Sequence, residues 1–322
     1  MLTDTQAAGT DAGKLILQKD VTGLQSFSYG KMGELTENIR TFVVPNAGQL
    51  TFAMNFEYDT WNRTKSITYP DGEVVSYAYD NGGQLLSMEG NKNSTAYPYI
   101  DEILYDKFGS RISILYKNDI QTIYTYEPER RRLHELKSTD LSIPEIIQHV
   151  AFTYDANDNI INVVKSADRC VITESYDIET EYGYDDMSRL TSSGSVINIG
   201  NDSYDYEYAI GYTLSGNIDE KSVTGNILTL QGPEQISYSN VYEYGSQPHA
   251  ISTINNGHKN FEWDANGNML QWEDLDISRN RFQHWDEENR LTTVYDEDLY
   301  LSAYLYDASG ERTLKLIIDI RK

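Results

Sequence analysis

Residues 67–86 read ITYPDGEVVSYAYDNGGQLL, in which two turn signals, PDG (70–72) and DNGG (80–83), bracket VVSYAY (74–79). Six residues are too few for a stable helix, and Val, Ser and Tyr in this order suit a strand with one face half buried. Tyr77 and Tyr79 are two apart, so on a strand both rings point to one face. Asp80 then opens a turn, because its carboxylate can accept backbone N–H bonds from the residues that follow. The unit is strand, tight turn, strand.

Working outward, the unit recurs. It is FEYDTWNR from Phe56, YAYDNGGQL from Tyr77, LYDKFGSRI from Leu104 and FTYDANDNI from Phe152. It returns as YGYDDMSRL from Tyr182, FEWDANGNML from Phe261, HWDEENRL from His284 and YLYDASGER from Tyr304. Weaker copies start at Tyr29, Tyr124, Tyr206 and Tyr242. Clear neighbours stand about 20 to 30 residues apart, the period of a stacked repeat array.

The aromatic before the turn is Tyr58, Tyr79, Tyr105, Tyr154, Tyr184, Trp263, Trp285 or Tyr306. The turn residue after it is Asp59, Asp80, Asp106, Asp155, Asp185, Asp264, Asp286 or Asp307. Three residues later stands Gly83, Gly109, Gly267 or Gly310, and elsewhere Asn62 or Asn289, residue types that tolerate the positive φ of such a turn. An aliphatic follows (Leu85, Ile160, Leu190, Met269, Leu291), placed to pack across the hairpin on the aromatic pair.

A propeller blade needs about 40 residues for four strands, whereas this unit supplies one hairpin, which cannot bury its aromatic face alone. The expected fold class is therefore all-β: a long antiparallel hairpin array, almost without helix, whose twist makes it curl. The array is expected to run over residues 20–316, after a lead-in segment at 1–19 and before a short tail at 317–322. The wider stretches 138–149 and 193–205 read as longer strands or hairpin excursions rather than domain linkers.

Composition narrows the function. The chain has 322 residues, 26 Tyr against 8 Phe, and 50 acidic against 26 basic residues for a formal charge of −24. That field repels phosphate backbones and argues against nucleic-acid binding. A single cysteine, Cys170, excludes an internal disulfide framework and a cysteine metal cluster. The N-terminus has no basic n-region, and no stretch approaches the ~18 apolar residues of a membrane helix.

Chemistry finds little purchase. His134, His149, His249, His258 and His284 have no metal-ligand spacing, and no GxSxG elbow nominates a serine. DANDN (155–159) and DANGN (264–268) share letters with calcium loops but lack their full order and distal Glu, and a turn already accounts for them. No cofactor, metal or catalytic residue is expected. Most notable aspartates fall at the repeat's turn, which leaves an enzyme with an acidic pair a distant reading.

These motifs resemble the RHS, or YD-repeat, family, whose signature is Tyr-Asp, two variable residues, Gly, and an Arg/Asn-Leu pair. ITYPDGEVVSYAYDNGGQL, YGYDDMSRLT and FEWDANGNML are close matches, and QPHAI (247–251) is similar to another RHS element. The resemblance implies a wall segment of a hollow β-shell or barrel that encloses a toxin polypeptide, with animal teneurins as relatives. The implied partners are the rest of the shell and the enclosed polypeptide, or a second copy at open sheet edges. The implied location is a bacterial cytoplasm until export by a dedicated system, or the cell surface within a larger protein. Family members that carry toxins have DPxG motifs; the absence of any Asp-Pro here implies a fragment or one piece of a split shell. The alternative is an extracellular adhesion or carbohydrate-binding module, since rows of same-face tyrosines can stack sugars.

Overall fold

The computed structural model describes residues 13–44, 48–168, 175–229, 232–297 and 299–320. Cys170 lies outside them, as do residues 1–12 of the lead-in and 321–322 of the tail. The described residues form 25 strands and no helix. In VVSYAY, Val75 is buried, Tyr77 and Tyr79 are half buried, and Ser76 and Ala78 between them are exposed. The strand Val74–Tyr79 pairs antiparallel with Thr64–Thr68 on one side, Val75 opposite Ile67, and with Leu85–Lys92 on the other, Tyr77 opposite Met88. The same rule, each strand antiparallel to its neighbour in sequence, holds for the other pairings within each unit.

The chain forms two compact units, residues 1–101 with 280–322, and residues 102–279. The first strand is Leu17–Asp20 and the last is Arg312–Asp319. In the second unit the stretch 138–149 falls in the hairpin of Leu133–Asp140 and Glu145–Tyr154. The stretch 193–205 falls in that of Leu190–Ile199 and Asp202–Tyr212. The longest strands, Ile218–Thr229 and Gly232–Tyr244, follow directly.

Burial is shallow. Among the described residues only eleven hydrophobic side chains are buried, Val75, Ile103, Ile114 and Val163 among them. Large apolar side chains such as Trp61, Phe108, Met187 and Ile317 stay exposed. Cohesion therefore rests heavily on backbone pairing and on buried polar hubs. In one hub Arg40 holds Asp20 through two bonds of 2.9 and 3.0 Å, and Thr22 beside them is wholly buried. Burial raises the Asp20 carboxyl, but the bonds from Arg40 and Thr22 outweigh it and hold the pKa down at about 2. Arg281 grips the buried Asp296 in the same way, at 2.8 and 2.7 Å.

One irregularity is itself regular. Register slips by one residue just before the turn aromatic at Tyr58, Tyr79, Tyr126, Tyr154, Tyr184, Tyr212, Trp263, Trp285 and Tyr306. Each slip is a β-bulge, which leaves one residue of the returning strand unpaired and sharpens the local twist.

Candidate functional site, a ladder of turns and hydroxyl rungs

The repeated turn is the site that the sequence singles out, and its atoms are placed the same way each time. The Asp80 N–H donates to the Gln84 carbonyl at 2.9 Å, and the Gly83 N–H donates to the Asp80 carbonyl at 3.1 Å. The Gln84 N–H then donates to Asp80 Oδ1 at 2.8 Å. Gly83 has φ of 87°, the left-handed region where a Cβ is costly. At Asp59, Asp106, Asp155, Asp185, Asp264, Asp286 and Asp307, Oδ1 accepts the N–H groups of the second and fourth residues after it. The positive-φ position is filled by Gly109, Gly267 and Gly310, and by Asn62 and Asn289. It is filled also by Asp158 and Ser188, whose φ of 70° and 58° each carry a strain of about 1–2 kcal/mol.

The backbone N–H of the fourth residue is the first cause holding Asp59, Asp185 and Asp286 below the usual carboxylate range. For Asp155 and Asp264 the side-chain amides of Asn159 and Asn268 lead. At Asp307 burial pushes upward, and bonds from Ser309 and Glu311 overcome it.

The aromatic before each turn reaches backwards. Tyr58 Oη donates to the Leu35 carbonyl at 2.9 Å and Tyr79 Oη to Thr64 at 2.7 Å. Tyr154 donates to Leu133, Tyr184 to Ile160 and Tyr306 to Leu291, each at 2.7 Å. Trp263 plays the same part with Nε1 to the Ile251 carbonyl, 2.7 Å. The accepting carbonyl belongs to the residue that opens a returning strand, so each rung ties one hairpin to the one before it. Burial raises the hydroxyl pKa of Tyr58, Tyr154 and Tyr184. Tyr105 ends the strand Thr95–Tyr105 before Asp106, and Trp285 ends Arg279–Trp285 opposite Leu291.

Arginine supplies a link that the sequence reading does not give a role. Arg63, Arg189 and Arg290, fourth after the turn Asp, each bond its Oδ2 through Nε at 2.7 Å. Their guanidinium groups then lie over the aromatic of the next repeat: Arg63 on Tyr79 and Arg189 on Tyr212 at 4.3 Å, Arg290 on Tyr306 at 5.4 Å. The Arg-Leu pair in the motif was the available signal.

Two connections depart from the pattern and clasp their neighbours instead. In YTYEPERRRL the turn is one residue longer, Glu127 replaces Asp, and Arg131 takes the positive φ of 60°. Arg130 and Arg132 both reach Asp158 at 2.6 Å, while Arg131 pairs with Asp106, so three successive turns are joined. In QPHAI, Gln247 Nε2 donates to the Asp264 carbonyl at 2.7 Å, and Asn217 Nδ2 donates to the Pro248 carbonyl at 2.6 Å. That segment stands where a turn of the series would stand and holds the turn on either side.

The described residues hold no group of three or more His, Cys, Asp or Glu side chains placed for a metal ion. One row has the look of a relay: His149 Nε2 lies 2.7 Å from Glu135, and its Nδ1 lies 3.5 Å from Ser166 Oγ. The strand carrying Ser166 is paired on both sides, which commits the adjacent N–H groups to the ladder and away from any oxyanion.

Comparison with known proteins agrees with this geometry. Residues 58–93 match the family model for the RHS repeat. The toxin subunit YenC1 of Yersinia entomophaga is 25% identical over 42% of this chain and 15% of its own length. The double-stranded DNA deaminase toxin A of Burkholderia cenocepacia (strain H111) is 23% identical over 97% of this chain and 25% of its own. The chain thus spans a quarter or less of the curated relatives it matches. Among solved structures, the Photorhabdus luminescens Tc holotoxin pore superposes with a TM-score of 0.67 at 16% identity, over 96% of this chain and 17% of that one. The TcdB2-TccC3-Cdc42 crystal structure gives 0.66 at 16% identity, over 95% and 17%. The RHS match falls on the repeats at Tyr58 and Tyr79, and the all-β fold is shared with these toxin-complex chains.

Proposed function

We propose that this run of RHS repeats is a wall segment of a shell that encloses a toxin polypeptide. The observation that carries the reading is the ladder. At the eight turns that begin with Asp, the Asp and the positive-φ residue close the turn, and six of the aromatics before them tie strand to strand. The exposed apolar side chains, Phe52, Phe108 and Ile317 among them, agree, because a wall takes its remaining burial from what it encloses and from what continues it. The relatives' names, a toxin subunit and a toxin, point the same way. In this reading the segment excludes protease and solvent and does no catalysis.

The partners that follow are neighbouring shell sequence and the enclosed polypeptide, with a second copy at the sheet edges as the alternative. A net charge of −24 argues against nucleic acid as the partner. The bacterial relatives suggest a protein that leaves the cytoplasm through a dedicated export or injection system. Co-expression with the polypeptides encoded on either side, followed by limited proteolysis, tests the reading. A neighbour that co-purifies and survives protease only with this chain present is the expected outcome. If nothing is protected and the chain is stable alone as a monomer, the enclosing role fails.

A further inference from the structure

The aromatic rungs are evenly spread, but in the unit of residues 1–101 and 280–322 one place breaks the rhythm. Phe52, Tyr69, Tyr77 and Tyr99 wall an open recess of about 490 Å³ whose floor is Val75 and Met88. Tyr99 arrives there through an additional register slip between Met88 and Glu89, which leaves it without an opposite residue on the neighbouring strand. A bulge of this kind re-aims a side chain. Gly90 makes the arrangement possible: a Cβ on it would stand 2.5 Å from Glu73 Oε1 and 2.6 Å from the Tyr99 ring. Phe52 and Tyr99 remain 43% and 39% exposed, so the rings form a surface and not a core.

The recess is also charged. Glu73 lines it and accepts the Tyr99 hydroxyl, and Asp71 stands at its margin. Lys92 feels the charge of Glu73 but is engaged with Asp71 at 2.7 Å, and among the described residues no salt bridge to Glu73 is formed. Four aromatic walls beside a carboxylate that makes no salt bridge match one kind of guest, a positively charged side chain with an apolar stem.

We propose that this recess is a socket for an arginine or lysine side chain of the enclosed polypeptide, which docks that polypeptide on the aromatic face of the sheet. The identity of the guest rests on the enclosing role proposed above; the cation selectivity of the socket does not. Guanidinium or ammonium would lie against the rings with Glu73 as counter-charge, and the methylene stem would cover Met88.

The test uses the full chain with ¹³C-methyl-labelled methionine, reading the Met88 signal during titration with two extended Gly/Ser peptides. One carries a single central arginine and the other citrulline, its neutral isostere. The expected result is a saturable Met88 shift with the arginine peptide, about tenfold tighter than with citrulline, a factor between those of an exposed and a desolvated cation–π contact. Tyr99→Ala and Glu73→Gln should each abolish that preference while the circular-dichroism spectrum stays unchanged. Equal binding of both peptides overturns the cation assignment, and no Met88 shift with either overturns the socket. Because neither peptide requires a co-expressed neighbour, a failure here is separable from a failure of the enclosing role.

Discussion

The Tyr79 hydroxyl donates a 2.7 Å hydrogen bond to the backbone carbonyl of Thr64, fifteen residues earlier, so the last residue of one strand holds the first residue of the strand beside it. The ring rests at the same time under the guanidinium of Arg63, 4.3 Å from its centre. Arg63 is bound to Asp59, so a single tyrosine joins two successive turns by two unlike forces.

Removing only the hydroxyl separates them. Tyr79→Phe keeps the ring and its stacking but strands the Thr64 carbonyl, and should cost about 0.5–1.5 kcal/mol in chemical denaturation. A midpoint identical to the parent protein's would show that the bond contributes nothing.

The turn itself has two separable parts. Asp80→Ala removes the acceptor of the Gln84 N–H and should cost about 1 kcal/mol, by analogy with a lost helix cap. Gly83→Val should cost more, because φ at this position is 87° and a β-branched residue is strained there. A thermal melt unmoved by Gly83→Val would contradict the turn geometry.

Acid should loosen the ladder in a defined window. The turn carboxyls of Asp59, Asp155, Asp185, Asp264, Asp286 and Asp307 are lowered in the folded state, and so is Asp20. Their contribution is complete above the unfolded value of about 4 and is lost as pH falls through the folded values. For Asp20 that loss extends to about pH 2. Melting temperature should therefore hold near neutrality and fall steadily below about pH 4. Asp20→Asn should be less stable at neutral pH and shallower in its acid slope; a parent melting temperature that stays flat down to pH 2.5 would refute the linkage.

The arginine stack can be isolated by a double-mutant cycle. Arg189 lies 4.3 Å over Tyr212 and bonds Asp185 at 2.7 Å. Arg189→Ala and Tyr212→Leu, alone and together, should reveal a coupling of about 0.5–1 kcal/mol. Arg189→Lys should recover only part of it, because an ammonium lacks the planar fork that bonds and stacks together. Strict additivity would assign the stack no energy.

Much of this was legible in the residues because its causes are short-range. Tyr77 and Tyr79 share a face by strand periodicity, and an Asp followed three residues on by Gly or Asn spells the turn. What escaped depends on where strands land beside one another. No local rule says that Tyr154 will find the Leu133 carbonyl, or that Arg132 will reach Asp158 across two turns. Asp158 and Ser188 hide the positive-φ position because their residue types do not advertise it. Tyr99 reads in sequence as one more strand aromatic; only the register slip at Met88 shows that it points elsewhere.

The rungs join residues close in sequence, fifteen apart for Tyr79 and Thr64 and 24 for Tyr184 and Ile160. The rungs form without the far end of the chain, although the unit begun by residues 1–101 is completed only by 280–322. Each hairpin can dock on the last one as soon as a few dozen residues have left the ribosome, so the search for partners stays local and fast. The same wiring governs the reverse process. Pulled from one terminus, each run of rungs should give way hairpin by hairpin, a succession of modest force peaks in place of one cooperative rupture.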